Sequence, residues 1–564
     1  MVSIKASYTK IQEFLGKELS LEELEELLSF AKTEIDDYVK EEDMLVLDIK
    51  TSNRPDLWCA EGMIREIKGI LDMEKGIPSY EVKESGFSVK VDSSLASSRP
   101  YIACAIAKKI NLDDFYIKQL MQHSEKIDNS YGRKRKRSSI GMYNLSMIQS
   151  PVLYQTAQKS HKFTPLGYEK EMTLDKILNE HEKGQEFGQI VKDYGIYPIL
   201  LSADGMTLSL PPVINSNDVG RITEDTTECL IEVTGTNFET VNVVLNILCQ
   251  TMADHGADIY SVVIEYPPEI HKEQVITPIL ELESIIIELD IIEKYLDVKI
   301  NSTKAKELMQ KRRFECEELE GNKIKVMIPP YRKDILHWVD IAEEIVIALD
   351  YNKIGPTKWK VLTTGGLLPE TESENLVREI LVGAYGIELV TNILTDPSIL
   401  TSNVNLDKQE LIKIENPVSQ TYSVLRNQLF PNLVNVISKN THESYPQIIF
   451  EVGEVVRMDK NDVWTQTNAA FCIADADASF EDAHKRLHHL MKLLNTEYKI
   501  ESTTHPSFTD GRCGIISIKD IQCGIIGEIN PLILEKNQIW VPLVCFEVEL
   551  PSIPTLNCKT KKTY

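Results

Sequence analysis

The sequence predicts an α+β multidomain protein. At 564 residues the chain has room for three to five domains of roughly 100–200 residues each. Its first two-thirds interleave helical-period stripes with alternating strand runs, which gives a mixed α/β region followed by a small helix-rich one. From about Leu362 onward most runs alternate with period two, as in an antiparallel sheet. Composition shifts and turn residues divide the chain into 1–90, an N-terminal α/β domain; 91–267, a mixed α/β domain; 268–355, a small helix-rich domain with an acidic motif; and 362–564, the antiparallel sheet domain.

Composition removes several function classes. A hydrophobic share of 42% with 26% charged residues is that of an ordinary globular protein. No apolar run approaches the roughly 18 residues that would span a bilayer. The start, MVSIKASYTKIQEFLG, lacks the apolar core of a signal peptide, so the expected compartment is the cytoplasm. Ten scattered cysteines include no C-x-x-C pair, which argues against a zinc ribbon and a secreted disulfide framework. A net charge of −25 makes a poor general nucleic-acid binder, since phosphate contact needs Lys and Arg. Any contact with RNA should run through local basic patches or a partner.

In chain order, Ser20 and Glu23 form a capping box ahead of a helix whose inward stripe is Leu24, Leu27, Leu28 and Ala31. Leu45–Ile49 reads as a strand, Thr51–Asp56 as a turn and Leu57–Leu71 as a helix with Ile64, Ile67 and Leu71 inward. Arg133 to Arg137 are five consecutive basic residues beside the strand Ser139–Tyr143. Such a run is either a solvated loop or a phosphate contact. Met172–Gly184 reads as a short helix ended by its glycine.

Ile199–Ser202 and Met206–Leu210 read as a hairpin across Ala-Asp-Gly, closed off by Pro211-Pro212. Cys229–Thr234 alternates as a strand, and Thr236 or Asn237 caps a helix over Val241–Ala253. Asn215, Glu232 and Thr234 are polar residues on otherwise apolar elements. Glu232 and Thr234, two apart on a strand, share a face. They are either a half-buried polar pair or a carboxylate and hydroxyl that orient a water.

Ile285–Leu289, Asp290–Leu296, Thr303–Arg312 and Lys323–Ile328 read as strand, helix, helix and strand. Then comes IPPYRKDILHWVDIAEEIVIALDY, Ile328–Tyr351. Prolines 329 and 330 hold the entry extended. After Asp334 a helix carries Val339, Ala342, Val346 and Leu349 as its apolar stripe. Asp340, Glu343 and Glu344 stack together on the other side, with Asp334 near the first turn. Four carboxylates so close are either an acidic solvated face or a site for a hard divalent cation.

Beyond the Gly365-Gly366 linker, Glu372–Gly386 and Ala483–Leu494 read as helices. Ile387–Leu394, Asp407–Ile414, Gln447–Glu454, Trp464–Ile473, Cys513–Ile518 and Ile521–Ile529 read as strands. Lys559–Tyr564 reads as a frayed tail. No Walker motif, G-x-G-x-x-G or Phe-Arg-x-Glu loop occurs, and His484 and His488 lack the glutamate of H-E-x-x-H.

Several of these motifs together resemble the β subunit of phenylalanyl-tRNA synthetase, archaeal or eukaryotic type, over nearly the whole chain. The run P-P-x-R-x-D-I-x4-D-x2-E-E-I, the turn at Thr51, Asn53, Arg54 and Asp56, and the series L-P-P-x-I-N…R-I-T…I-E-V-T-G-T fall in that family's order. So do Glu415-Asn-Pro with Tyr422, Leu425 and Arg426, and His505-Pro-Ser-Phe508 with Gly511-Arg512 and Gly524-x2-Gly527-Glu528. The resemblance implies a magnesium ion (Mg2+) held by Asp334, Asp340, Glu343 and Glu344 where β meets the catalytic α subunit. It implies that residues 91–267 edit tRNA mischarged with tyrosine, with Leu200 and Ser209 lining the pocket and Asn215, Glu232 and Thr234 at the chemistry. Where some relatives have Asp, this chain has Glu232, one methylene longer. The last domain is then similar to a class II synthetase core without its active site. The whole would be a phenylalanine–tRNA ligase of α2β2 form acting on tRNA(Phe), with ATP and phenylalanine on the α subunit. The alternative is a non-enzymatic RNA-binding or assembly scaffold with an inactive editing pocket.

Overall fold

A computed structural model describes residues 2–271, 274–356, 358, 363–460, 462–558 and 561–562. The chain divides into two compact units, 1–358 and 359–564. No helix among the described residues is long and apolar enough to cross a membrane.

The first unit contains a repeat that the sequence reading missed. Its N-terminal module runs strand Val2–Ser7, helices Tyr8–Leu15 and Leu21–Phe30, strands Thr33–Val39 and Met44–Ile49, and helix Ala60–Ile70. Near the end of the unit the same order returns: strand Glu283–Glu288, helices Leu289–Leu296 and Ser302–Lys311, strands Glu315–Leu319 and Lys323–Ile328, and helix Trp338–Leu349. Both sheets are antiparallel, and in both the third strand of the module lies in the middle. Both modules also enter their last helix through R-x-D-x9-E: Arg54, Asp56 and Glu66 in one, Arg332, Asp334 and Glu344 in the other.

Between the modules lies a ten-stranded sheet. Its main path runs Ile214–Asn215, Thr207–Leu210, Pro198–Leu201, Val152–Thr156, Val82–Val91, Asp258–Glu265, Tyr101–Lys108, Glu228–Gly235, Ser138–Asn144. Alternation along Glu228–Gly235 sorts side chains between two cores. Cys229, Ile231 and Val233 face a cluster shared with the N-terminal module and with helix Phe238–Asp254. Leu230 faces a second cluster with Leu200, Leu208, Cys104 and Tyr143. Glu232 and Thr234 follow Leu230 in phase, so a carboxylate is carried to that second, apolar side. Helix Phe238–Asp254, capped by Asn237, is buried on every side from Thr240 to Met252.

The second unit is built on an eight-stranded sheet, antiparallel except where Ile387–Glu388 runs parallel to Gln447–Asp459. Helices Pro369–Gly383 and Phe480–Leu493 pack on one face, and Phe430–Lys439 packs on the other.

Many local expectations hold. The Ser20 capping box forms, and strands Lys323–Ile328 and Ile521–Ile529 have the expected bounds. Others differ for physical reasons. Gly184 does not end a helix: Leu174–Glu180 stops before His181, and Gly184 sits inside Glu182–Tyr194, where it lets that helix approach the Ile177 carbonyl. The helix at Leu57–Leu71 starts only at Ala60, because Pro55–Leu57 takes a 3₁₀ turn. Asp407–Ile414 forms no strand and makes a single bridge from Lys413 to Val424. Ile387–Leu394 is not one strand: Ile387–Glu388 joins the large sheet, and Leu394 begins a separate short strand, Leu394–Thr395, paired with Val424–Leu425. In helix Trp338–Leu349 the expected Ala342 and Val346 are buried, joined by Ile341, Ile345 and Ile347, while Val339 and Leu349 are half-buried. Of the tail at Lys559–Tyr564, all but 561–562 lies outside the described residues. The ten cysteines are all buried and unpaired.

Gly62 marks the tightest approach in the N-terminal module. A Cβ there would run into the Asp56 carbonyl oxygen and Leu57 Cα. Gly62→Ala should therefore lower stability by about 1–3 kcal/mol, as overpacking does, readable as a fall in Tm. An unchanged Tm would mean the turn shifts freely.

Candidate functional site

The register of the large sheet places Leu200, Ser209 and Asn215 side by side on three adjacent strands, as Leu200↔Ser209 and Ser209↔Asn215. Glu232 and Thr234 come from the other end of the sheet. Tyr143, on the last strand, joins the two ends. Its hydroxyl lies 2.8 Å from Ser209 Oγ and 2.8 Å from Glu232 Oε2. The residue paired with Glu232 on that strand is Gly141. A Cβ there would collide with both the Tyr143 hydroxyl and the Glu232 carboxylate. Leu200, Ser209, Glu232 and Thr234 are buried, and Asn215 is half-buried at the rim.

Arg99 holds the Thr234 side. It is buried and donates to Thr234 Oγ1 at 3.0 Å, to the Thr234 carbonyl at 2.7 Å and to Ser139 Oγ at 2.9 Å. Sequence reading missed Arg99, Ser139, Gly141 and Tyr143 as members of this site. Nothing local marks them, since only the pairing of distant strands brings them to Glu232.

Burial pushes the Glu232 carboxyl up to about 7, against the pull of the Tyr143 bond, the Arg99 charge and the nearby Thr234 hydroxyl. Its Oε1 has no hydrogen-bond partner. Asp128, beneath the basic run, is pushed to about 7 by the same burial although Arg135 lies 3.1 Å away. Arg135 also bonds the Pro212 and Val213 carbonyls and stacks on Phe187. That residue of the run is structural, whereas Arg133, Lys134 and Lys136 are exposed.

The four acidic residues of Ile328–Tyr351 are all engaged within the protein, Asp334 and Glu344 through a shared Arg332. Asp334 takes both of its bonds from Arg332, at 2.7 and 2.6 Å. Glu344 is buried between Arg332 at 2.7 Å and Arg312 at 2.6 Å. Asp340 accepts from the amides of Leu336 and His337, both at 2.7 Å, and caps its own helix. Glu343 is exposed and pairs with Lys32 at 2.7 Å. As they stand these carboxylates do not fit a magnesium site. Magnesium asks for convergent oxygens in an octahedron, and here the oxygens turn to permanent cations or amides. Among the described residues no group of three or more His, Cys, Asp or Glu is placed to hold a metal.

What Asp334 and Glu344 do join is an ion cluster between the two modules. Arg54 binds Asp56 at 2.7 Å and Glu66 at 2.9 Å, which repeats the bonds of Arg332 to Asp334 and Glu344. The two sets interlock: Arg312 reaches Glu66 at 3.2 Å, and Arg54 comes within 3.9 Å of Glu344. The surrounding guanidinium groups, Arg312 foremost, hold the Glu344 carboxyl well below the usual carboxylate range despite its burial.

Two family descriptions match the chain: "tRNA synthetase B5 domain" over residues 285–351 and "Phenylalanyl tRNA synthetase beta chain CLM domain" over 354–550. The class is thus that of an aminoacyl-tRNA synthetase component. The phenylalanine–tRNA ligase beta subunit of Pyrococcus horikoshii is 39% identical over 98% of this chain and 99% of its own length. That of Pyrococcus abyssi is 38% identical, again over 98% and 99%. A crystal structure of an N-terminal fragment of the phenylalanyl-tRNA synthetase beta subunit from Pyrococcus horikoshii is 40% identical. It superposes with a TM-score of 0.60 over 62% of this chain and 99% of that fragment. The chain belongs to the phenylalanine–tRNA ligase beta subunit family and is part of an aminoacyl-tRNA ligase.

Two outcomes follow. Glu344→Ala should cost about 3–5 kcal/mol in an unfolding titration, with or without magnesium, because it strands buried arginines; a magnesium-dependent loss would reverse this reading of the cluster. Glu232 titrates higher in the folded chain than its ordinary 4.5, so the folded state binds its proton more tightly. Its contribution to stability is therefore largest below pH 4.5 and falls as pH rises to about 7, by on the order of 3 kcal/mol. Glu232→Gln should flatten that segment of the stability–pH curve; an unaltered slope would place the titration elsewhere.

Proposed function

We propose that this chain is the non-synthetic subunit of a cytoplasmic phenylalanine–tRNA ligase. It pairs with an α subunit in an α2β2 tetramer, helps to hold tRNA(Phe), and removes tyrosine from mischarged Tyr-tRNA(Phe). ATP and phenylalanine belong to the α subunit. The second unit, which carries no nucleotide motif, serves as a non-catalytic counterpart of a class II core.

One observation carries the editing part. The Tyr143 hydroxyl brings Ser209 and Glu232 together at 2.8 Å each, beside Thr234 held by Arg99. A site that must keep phenylalanine and reject tyrosine has to recognise a single hydroxyl. Buried polar groups that go unpaired with the wrong substrate do this best. Ser209 and Glu232 supply such groups for a phenol. Leu200 supplies an apolar wall, and Asn215 stands at the rim where the ester would sit. There is no nucleophilic Ser-His-Asp or Cys-His set in the sequence, so hydrolysis uses a positioned water. Thr234, fixed by Arg99, orients it beside the ester, while Glu232 stays with the phenol. No step of this reading runs through magnesium, which the resemblance alone brings to Asp334, Asp340, Glu343 and Glu344.

The burial of Glu232, 3% exposed, favours a second reading, a scaffold whose editing pocket stays shut. Deacylation of Tyr-tRNA(Phe) by the assembled complex separates the two. Activity that falls by roughly 10²–10⁴-fold in Glu232→Ala and Thr234→Ala supports editing here, while an inactive wild-type complex leaves the scaffold. Phenylalanine-dependent ATP–pyrophosphate exchange should be absent for this chain alone and appear when the α subunit is added. Exchange by the chain alone would refute the division of labour.

A further inference from the structure

We infer that Tyr143 is the resident occupant of the tyrosine subsite, and that a tyrosyl side chain enters by displacing the Tyr143 hydroxyl from Ser209 and Glu232. This deepens the editing reading above and rests on it.

The seat is already filled by the same chemical group that the site is asked to recognise. Tyr143 presents a phenol whose oxygen is bonded to Ser209 Oγ and Glu232 Oε2, from strands at opposite ends of the sheet path. All three side chains are buried, and the Tyr143 hydroxyl already takes up Ser209 Oγ and Glu232 Oε2. The backbone beneath is shaped for the resident ring, because any side chain at Gly141 would strike both the Tyr143 hydroxyl and the Glu232 carboxylate. Glu232 Oε1, buried and unpartnered, offers an incoming hydroxyl a first foothold before Oε2 is released. Tyr143 lies on Ser138–Asn144, the last strand of the main path, whose ladder among the described residues is to Glu228–Gly235. On its other side the Asn144 amide donates to the Val219 carbonyl, so withdrawal of the Tyr143 side chain breaks no second ladder.

The exchange explains discrimination as a competition. A tyrosyl phenol replaces the lost bonds one for one. A phenylalanyl ring that evicts Tyr143 leaves Ser209 and a buried carboxylate unpaired, which costs roughly ten- to hundredfold in binding. The resident tyrosine is thus a threshold that correctly charged tRNA does not cross.

The test is Tyr143→Phe in the complete α-containing complex, assayed for deacylation of Tyr-tRNA(Phe) and of Phe-tRNA(Phe). Removing the resident hydroxyl lowers the threshold for both. The KM for Tyr-tRNA(Phe) should fall roughly tenfold with kcat little changed, and hydrolysis of Phe-tRNA(Phe) should rise by about the same factor. A KM that is unchanged or raised, in a wild-type-active complex, overturns the inference and leaves the editing reading standing. A wild-type complex that does not deacylate Tyr-tRNA(Phe) overturns both. Should the phenylalanine variant fail to fold, Tyr143→Leu, which empties the seat, is held to the same outcomes.

Discussion

A carboxylate taken out of water must find a partner, and most of the first unit is arranged around how that demand is met. Two buried glutamates show the two solutions. Glu344 sits among guanidinium groups and stays ionised. Glu232 sits in an apolar cluster with a phenol as its direct partner, and burial wins over the stabilising contacts. The first arrangement is a fastener. The second keeps a proton loosely held near neutrality, as suits a group that handles water and hydroxyls.

The fastener works because the chain contains the same small module twice. Each copy turns from its middle strand into its last helix through an arginine that clasps an aspartate two residues on and a glutamate in the second turn of the helix. Alone, each clasp would be a buried pair of doubtful net value. Set face to face, the two share their charges, with Arg312 adding a third cation and a bond to the Phe30 carbonyl. The large sheet runs between the modules in sequence, and the core of the N-terminal module continues into one of its faces. The other face carries the second cluster, with Glu232 and Tyr143 set into it.

The sequence was most legible where structure is decided locally. The Ser20 capping box, the Asn237 cap and the Lys323–Ile328 strand depend on neighbours within a few residues. The helix at Trp338–Leu349 was legible as a helix but not in its rotation. It is apolar around most of its circumference, so the stripe could be phased in more than one way, and Glu344 was put on the outside. Its burial depends on Arg312 and on the N-terminal module, which no local pattern reveals. The residues of the candidate site divide the same way. Glu232 and Thr234 stood out as polar residues on an apolar strand, whereas Tyr143 drew notice only as the end of a strand beside a basic run. Its importance arises from the closing of the two ends of a long sheet path upon each other. The strand expected at Asp407–Ile414 meets the Val424–Leu425 edge only around Lys413, too briefly to make a ladder.

The interlocked clasps also bear on how this chain has been able to change over generations. Here Arg54 leans toward Glu344 and Arg312 binds Glu66, so each copy completes the other's charge balance. A replacement in either one would strand an ion in its twin, and the two halves are held to a common history that neither can leave alone.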